Sequence, residues 1–132
     1  REAPVPPLRE CLERLLGELV SNPRGRRRGV AAVAALAGDR HSLPTTMAAA
    51  ALRGDNWHVH HLGANMPGHE LVRFCAEYDI DLAVISVTNP DVAPLADHTA
   101  EQVRAADTPT IVGGAGRSLE QLVEQANALT AA

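Results

Sequence analysis

Asp39 and His41 are the two side chains in this sequence whose types and spacing best suit a metal. A carboxylate two residues from an imidazole can accept one ring N–H, which fixes the tautomer and leaves the other nitrogen for a metal. Taken alone, the triplet Asp39-Arg40-His41 is also compatible with a chance pairing in a surface loop. The position of the triplet in the predicted fold favours the metal-binding interpretation.

Two further groups of residues suit a buried ligand. Ser86 and Thr88 lie two positions apart, so in a strand their hydroxyls share one face and could bind a polar ligand. The run GGAG at 113–116 lacks side-chain bulk and would let a ligand approach the backbone closely. A satisfied core serine and an ordinary strand-to-helix turn are the plainer alternatives. The glycine run is no phosphate loop of the GxxxxGK[ST] kind, since the chain has no lysine, and no GxGxxG motif.

Strand and helix alternate from Gly29 onwards, which predicts a parallel sheet with helices on both faces. The predicted strands are at about 29–37, 57–62, 81–87 and 110–112. In such a sheet, ligands bind beyond the carboxyl ends of the strands. The loops that follow these strands are 38–44, 63–68, 88–91 and 113–117. All four therefore gather at one edge of the sheet, together with Asp39 and His41.

The first 28 residues are predicted to form a unit separate from the α/β domain over 29–132. Five leucines with helical spacing predict one amphipathic helix over 8–20: Leu8, Leu12, Leu15, Leu16 and Leu19. This stripe should be buried against the domain or a second copy, because five exposed leucines would make an unusual apolar patch. The arginine-rich segment 23–28 is interpreted as a solvated linker rather than a phosphate-binding patch. Since the chain starts with Arg1, we expect an upstream region.

Composition sets limits on the function. The net charge is −4 and aromatic residues make up 2% of the chain, so the core is expected to consist of aliphatic side chains. Nucleic-acid contact is expected only through an upstream region. Cys11 and Cys75 form neither a zinc pattern nor a disulfide framework, which favours a reducing cytoplasm. No apolar run reaches the roughly 18 residues of a membrane span. No nucleophile with a positioned base is evident, so we expect a binding module rather than an enzyme.

His58 and His60 lie on one face of the second predicted strand, and i, i+2 spacing can hold a metal. His61 faces the other way. In the strand order 2-1-3-4-5 this strand is an edge. Polar residues commonly protect edge strands from pairing with other chains, and we favour that interpretation here.

Three segments together resemble cobalamin (vitamin B12)-binding domains of the methionine-synthase and methylmalonyl-CoA-mutase type. Those domains carry DxHxxG, then SxL, then GG. This chain reads Asp39-Arg40-His41-Ser42-Leu43-Pro44, then Ser86-Val87-Thr88, then Gly113-Gly114. Residues 45–85 separate the first two motifs, which matches the family spacing, and residues 89–112 separate the last two, which is slightly short. The phrase at 62–67 also resembles the family's loop after its second strand, whereas Pro44 and Thr88 depart from the family's glycine and leucine.

The resemblance implies a flavodoxin-like fold of four to five strands that binds adenosylcobalamin or methylcobalamin. It implies that His41 replaces dimethylbenzimidazole as lower axial ligand to cobalt, and that Asp39 holds the second ring nitrogen of His41. Ser86 and Thr88 would line the cavity for the nucleotide tail. The expected cofactor-binding residues are Asp39, His41, Ser42, Leu43, Pro44, Ser86, Thr88, Gly113, Gly114 and Ala115.

Three functions are compatible with this resemblance. The main hypothesis is a sensor module of a light- or B12-responsive regulator, partnered by an upstream output domain or a second copy. The short segment 42–44 and the arginine linker favour it. The first alternative is a corrinoid carrier domain of a methyltransferase or mutase. The second is a photoreceptor domain on the same fold, with a bilin chromophore attached through Cys75.

Overall fold

The computed structural model describes residues 22–114 and 118–130, in which strands and helices alternate. The strands are β1 (Val30–Leu36), β2 (His58–Met66), β3 (Leu82–Val87) and β4 (Thr110–Gly114). The helices are α1 (Leu43–Gly54), α2 (Gly68–Glu77), α3 (Ala93–Ala105) and α4 (Leu119–Thr130), with a 3₁₀ turn at Pro90–Val92 before α3. The predicted helix over 8–20 and its leucine stripe lie outside the described residues.

The strands pair in parallel in the order β2-β1-β3-β4, which confirms the predicted flavodoxin-like α/β fold. β1 lies inside the sheet and consists of alanine, valine and leucine. From Ala31 to Leu36 its residues are buried. A strand covered on both faces reads as a continuous apolar run, which is why this one is visible in the sequence.

Helices cover both faces of the sheet and separate two clusters of core residues. On one face α1 and α4 pack against Val33, Val84 and Ile111, with Trp57 fully buried among them. On the other face α2 and α3 pack against a second set: Ala32, Ala34, Leu36, Ala83 and Ile85. Among the described residues, no helix has the length and apolarity needed to cross a membrane.

Two strands extend further than the sequence predicts. The expected end of β2 at residue 62 is wrong, because its pairing with β1 continues to Met66. The expected turn at 113–114 is also wrong, because Gly113 and Gly114 continue β4 and pair with β3. In both cases a glycine suggests a break. Hydrogen bonding to the neighbouring strand outweighs that local preference.

Side chains also complete the ends of two elements near β4. Ser118 caps α4: its Oγ accepts the N–H of Gln121 at 3.1 Å, and Gln121 Oε1 accepts the N–H of Ser118 at 3.0 Å. At the outer edge of β4, Arg104 of α3 donates from Nη2 to the carbonyl oxygen of Thr110 at 2.9 Å.

Candidate functional site

A tight turn after β1 places Asp39 at the carboxyl edge of the sheet. The N–H of Asp39 donates to the carbonyl of Leu36 at 2.9 Å, and Gly38 within the turn has a φ of +97°. A side chain is strained at that φ, and a Cβ there would lie 3.3 Å from Cγ2 of Val92. Glycine at position 38 therefore allows the turn, which leaves Asp39 fully buried.

The carboxylate of Asp39 is held by the residues that follow β3. Its Oδ2 accepts the N–H of Thr88 at 2.7 Å and that of Asn89 at 3.4 Å, and its Oδ1 accepts the Thr88 hydroxyl at 2.5 Å. Burial alone would raise the pKa of Asp39. These hydrogen bonds, with one from the backbone N–H of His41, outweigh burial and lower the pKa below its ordinary value of 3.8. Asp39 is thus an ionised anchor between β1 and β3 at neutral pH.

His41 follows this anchor by two residues and is exposed. Its backbone N–H donates to the Asp39 carboxylate. In this structure Thr88 and Asn89, which follow β3, donate hydrogen bonds to that carboxylate, where the imidazole of His41 was expected. Support of the second ring nitrogen by Asp39 stays a prediction. The imidazole itself stands at the edge of the sheet where ligands bind.

Residues 38–42 form the loop that carries His41, called the His41 loop below. Ser42 holds the second end of this loop by hydrogen bonds. Its carbonyl accepts the N–H of Thr46 at 3.0 Å and the hydroxyls of Thr45 and Thr46 at 2.6 and 3.0 Å. Leu43 and Pro44 are half-buried in the first turn of α1, where proline loses no helical hydrogen bond. The loop expected over 38–44 is therefore shorter, and residues 40–41 alone separate its two bonded ends.

Ser86 and Gly113, which the sequence suggests separately as ligand-lining residues, are neighbours in the sheet. Ser86 pairs with Ala35 of β1 on one side and with Gly113 of β4 on the other. By strand alternation this row lies on the face covered by α1 and α4, next to a row of larger, buried valine and isoleucine side chains. A row of alanine, serine and glycine leaves room for a ligand beside the sheet.

The other residues expected to contact a nucleotide tail have different surroundings. Thr88 follows the last residue of β3 and donates its hydroxyl hydrogen to Asp39. Gly114 ends β4 opposite Val87. Ala115 lies outside the described residues. Contacts of these three residues with a ligand stay predictions.

Two residues of β2 that the sequence does not single out for the site also contribute: Asn65 contacts the loop that carries His41, and His61 contacts Thr45 in the first turn of α1. The N–H of Asn65 donates to the carbonyl of Asp39 at 2.9 Å, and Asn65 Oδ1 accepts the N–H of Gly38 at 3.0 Å. His61 Nε2 lies 2.8 Å from the hydroxyl oxygen of Thr45. The sequence Gly-Ala-Asn at 63–65 could have indicated an irregular backbone here, since glycine and asparagine are the residues that most readily adopt positive φ.

The remaining histidines of β2 form an aromatic cluster instead. The rings of His58 and His60 are perpendicular with centroids 5.0 Å apart, on one face as predicted, and Phe74 of α2 packs against His60. Within residues 22–114 and 118–130, no group of three or more histidine, cysteine or acidic side chains could hold a metal ion. The interpretation of this pair as edge protection stays a prediction.

Cys75 is poorly placed to attach a chromophore. It is buried in the cluster beneath α2, on the face opposite the row of Ser86 and Gly113. Burial raises the pKa of its thiol to about 11. Since the thiolate is the attacking species, attachment of a bilin through Cys75 is disfavoured.

Comparisons with known proteins agree with this geometry. Residues 29–131 match the family model of the B12 binding domain. No curated protein matches the sequence. A novel cobalamin-binding protein from Desulfitobacterium hafniense DCB-2 is 21% identical with a TM-score of 0.56, over 81% of this chain and 51% of that one.

Two structures from Methanosarcina barkeri are also similar. The monomethylamine corrinoid protein is 20% identical with a TM-score of 0.67, over 86% of this chain and 55% of that one. A chain of the methanol:cobalamin methyltransferase complex is 17% identical with a TM-score of 0.58. The match covers 82% of this chain and 42% of that one. At these identities the likeness shows the fold, and the chain spans about half the length of the structures it matches.

Proposed function

Because the chain belongs to the family of B12-binding domains, we propose that His41 is the lower axial ligand to the cobalt of a bound cobalamin. The observation that carries the proposal is an exposed imidazole on a two-residue segment whose ends are held by hydrogen bonds, at the carboxyl edge of a parallel sheet. A neutral imidazole is a suitable ligand for cobalt. Cobalamin would supply the cobalt-centred chemistry, and the chain would bind and orient it.

The row of small residues supports passage of the cofactor's nucleotide tail along the sheet. Ala35, Ser86 and Gly113 lie side by side under α1 and α4. Ser86 adds a hydroxyl that can hydrogen-bond a polar tail, while glycine adds no side chain to obstruct it. We assign the tail to this face of the sheet.

We infer further that the domain is a corrinoid carrier for a methyl-transfer partner. The names of the Methanosarcina barkeri structures describe a corrinoid protein and a methyltransferase complex, and they support this function. The light-responsive sensor expected from the sequence gains no support from these likenesses. A carrier holds the cofactor while its partner provides the substrate.

The role of His41 is tested by titrating the chain and the variant His41→Ala with cobalamin, followed by absorption. We expect the variant to bind more than about tenfold more weakly, since even groups that only orient a metal ligand contribute that much. His58→Ala is the matched control, because His58 is an exposed histidine at the first residue of β2, at the opposite end of the sheet from the loop. Equal affinities and identical spectra for the chain and His41→Ala would overturn the proposal.

A second experiment separates the carrier from the sensor. The chain loaded with adenosylcobalamin is illuminated, and photolysis is confirmed by absorption. Size-exclusion chromatography before and after light then reports the assembly state. An unchanged elution volume supports the carrier, and a light-dependent change in assembly would overturn it in favour of the sensor.

A further inference from the structure

We infer that the bulged end of β2 positions the loop that carries His41, with Asn65 as the positioning residue. The inference rests on the proposed role of His41 as cobalt ligand. It gives the end of an edge strand a direct part in placing that ligand.

The end of β2 contains two extra residues relative to β1. β1 takes three residue steps from Val33 to Leu36, whereas β2 takes five from the paired His61 to Met66. Gly63 and Asn65, within this stretch, have φ values of +84° and +56°. Bulges bend a strand and re-aim its side chains, and they are common beside functional sites. The bent strand stays joined to the start of the loop, since the N–H of Ala37 donates to the carbonyl of Met66 at 2.8 Å.

Asn65 holds the first end of the loop through both its backbone and its side chain. Its N–H binds the carbonyl of Asp39, and its Oδ1 binds the N–H of Gly38. From the segment after β3, the Nδ2 of Asn89 donates to the carbonyl of Gly38 at 3.4 Å. The remaining N–H, that of Asp39, closes the turn to Leu36. Every backbone N–H and carbonyl of residues 38 and 39 is therefore hydrogen-bonded, so the backbone is fixed up to two residues before His41.

β2 also reaches the second end of the loop, through His61. The hydroxyl of Thr45 donates its one hydrogen to the carbonyl of Ser42. His61 Nε2 lies 2.8 Å from the oxygen of that hydroxyl. One strand thus holds residues 38–39 through Asn65 and residue 42 through His61 and Thr45.

The position of the imidazole follows from this arrangement. With residues 39 and 42 held, the backbone of residues 40–41 has few ways to span the gap. Asn65 suits the task because asparagine tolerates the left-handed backbone of the bulge and still offers a side-chain acceptor. Glycine would keep the backbone and lose the acceptor, and aspartate would keep an acceptor.

The test compares Asn65→Gly and Asn65→Asp with the unaltered chain, each loaded with cob(II)alamin. The proteins are labelled with ¹⁵N, so that electron paramagnetic resonance shows doublet splitting of the cobalt(II) signal when an imidazole of the protein is bound, whereas the ¹⁴N of the cofactor's dimethylbenzimidazole gives triplets. We expect Asn65→Gly to lose part of this splitting and to bind the cofactor roughly 10- to 100-fold more weakly, the usual effect of losing a group that orients a ligand. Asn65→Asp should retain the splitting. Circular dichroism confirms that the variants are folded.

The outcomes distinguish this inference from the proposed function. Absence of the ¹⁵N splitting in the unaltered chain would overturn the role of His41 itself. Splitting in that chain, with equal splitting and affinity in Asn65→Gly, would overturn the positioning role alone. Should Asn65→Gly not fold, hydrogen exchange at the Gly38 amide of the unaltered chain decides. Protection supports the bond to Asn65, and exchange as fast as in an unstructured peptide contradicts it.

Discussion

β1 and β2 lie side by side in one sheet, yet they differ in almost every respect. β1 is a buried run of alanine, valine and leucine that pairs with β3 without a register shift. β2 carries three histidines, a glycine and an asparagine, is partly exposed along its length, and contains two extra residues beside β1. Both strands end at the His41 loop. Stability therefore resides mainly in the inner strand, and the edge strand contributes the geometry of the loop.

The largest effect should come from removing a core side chain of β1. Leu36 is 0% exposed, so Leu36→Ala should lower the free energy of unfolding by about 2–5 kcal/mol through lost burial and the cavity left behind. Leu62→Ala removes the same atoms from a half-buried position of β2 and should cost less. Urea unfolding followed by circular dichroism measures both. If the two variants lost equal free energy of unfolding, the conclusion that β1 contributes more stability than β2 would be wrong.

Asp39, where β1 meets β3, should have the next largest effect. Asp39→Asn replaces a buried acceptor of several hydrogen bonds and should cost about 1–3 kcal/mol at neutral pH. The pKa of Asp39 is lowered in the folded state, so its stabilising contribution is present above pH 3.8 and is lost as the pH falls through the folded pKa. The stability difference between the chain and Asp39→Asn should therefore shrink below pH 3.8.

Chemical unfolding over a pH series measures this difference. Asp97→Asn, at an exposed position of α3, is the control and should show little effect at any pH. A difference between the chain and Asp39→Asn that stays constant from neutral pH to well below 3.8 would contradict the anchoring role.

Two glycine-to-alanine substitutions should change the free energy of unfolding in opposite directions. Gly63 has a φ of +84° in the bulge of β2, so Gly63→Ala should destabilise by about 1–2 kcal/mol although no atom lies within 4 Å of the new Cβ. Gly54 also has open space but ends α1 without a positive φ, so Gly54→Ala should stabilise by about 0.5–1 kcal/mol. Thermal unfolding of both variants tests this. If Gly63→Ala left the stability unchanged, the positive φ at this position would not be required for the bulge.

The smallest effect concerns the thiol beneath α2, which packs against the same face as Leu36. With the pKa of Cys75 raised to about 11, roughly 50-fold less thiolate is present at pH 9 than for a thiol with a pKa of 9.0. Folding stability should accordingly fall as the pH rises from 9 towards 11. Labelling of a Cys11→Ser variant with a thiolate-selective reagent, with and without urea, measures the reactivity. Equal rates in both conditions would contradict burial of Cys75.

The sequence was sufficient for the parts of the fold that local patterns encode. The positions of β1 and β3 follow from their continuous apolar runs, and the location of Asp39 and His41 follows from their place after β1. The end of β2 was mispredicted because Gly63 resembles a strand breaker, although pairing with β1 continues past it. The partner of Asp39 was missed because Thr88 is 49 residues away, and no local pattern reports such a contact.

The contact between Arg104 and Thr110 bears on how the protein behaves in concentrated solution. The outer edge of β4 would otherwise offer the carbonyl of Thr110 to a strand from another molecule, which is how cross-β aggregates begin. Arg104 occupies that acceptor with a guanidinium donor from the same chain. A neighbouring molecule would have to displace a charged group and break this bond before it could add a strand. Among the described residues, the helix preceding β4 therefore supplies a donor that occupies one hydrogen-bond acceptor at this edge of the sheet.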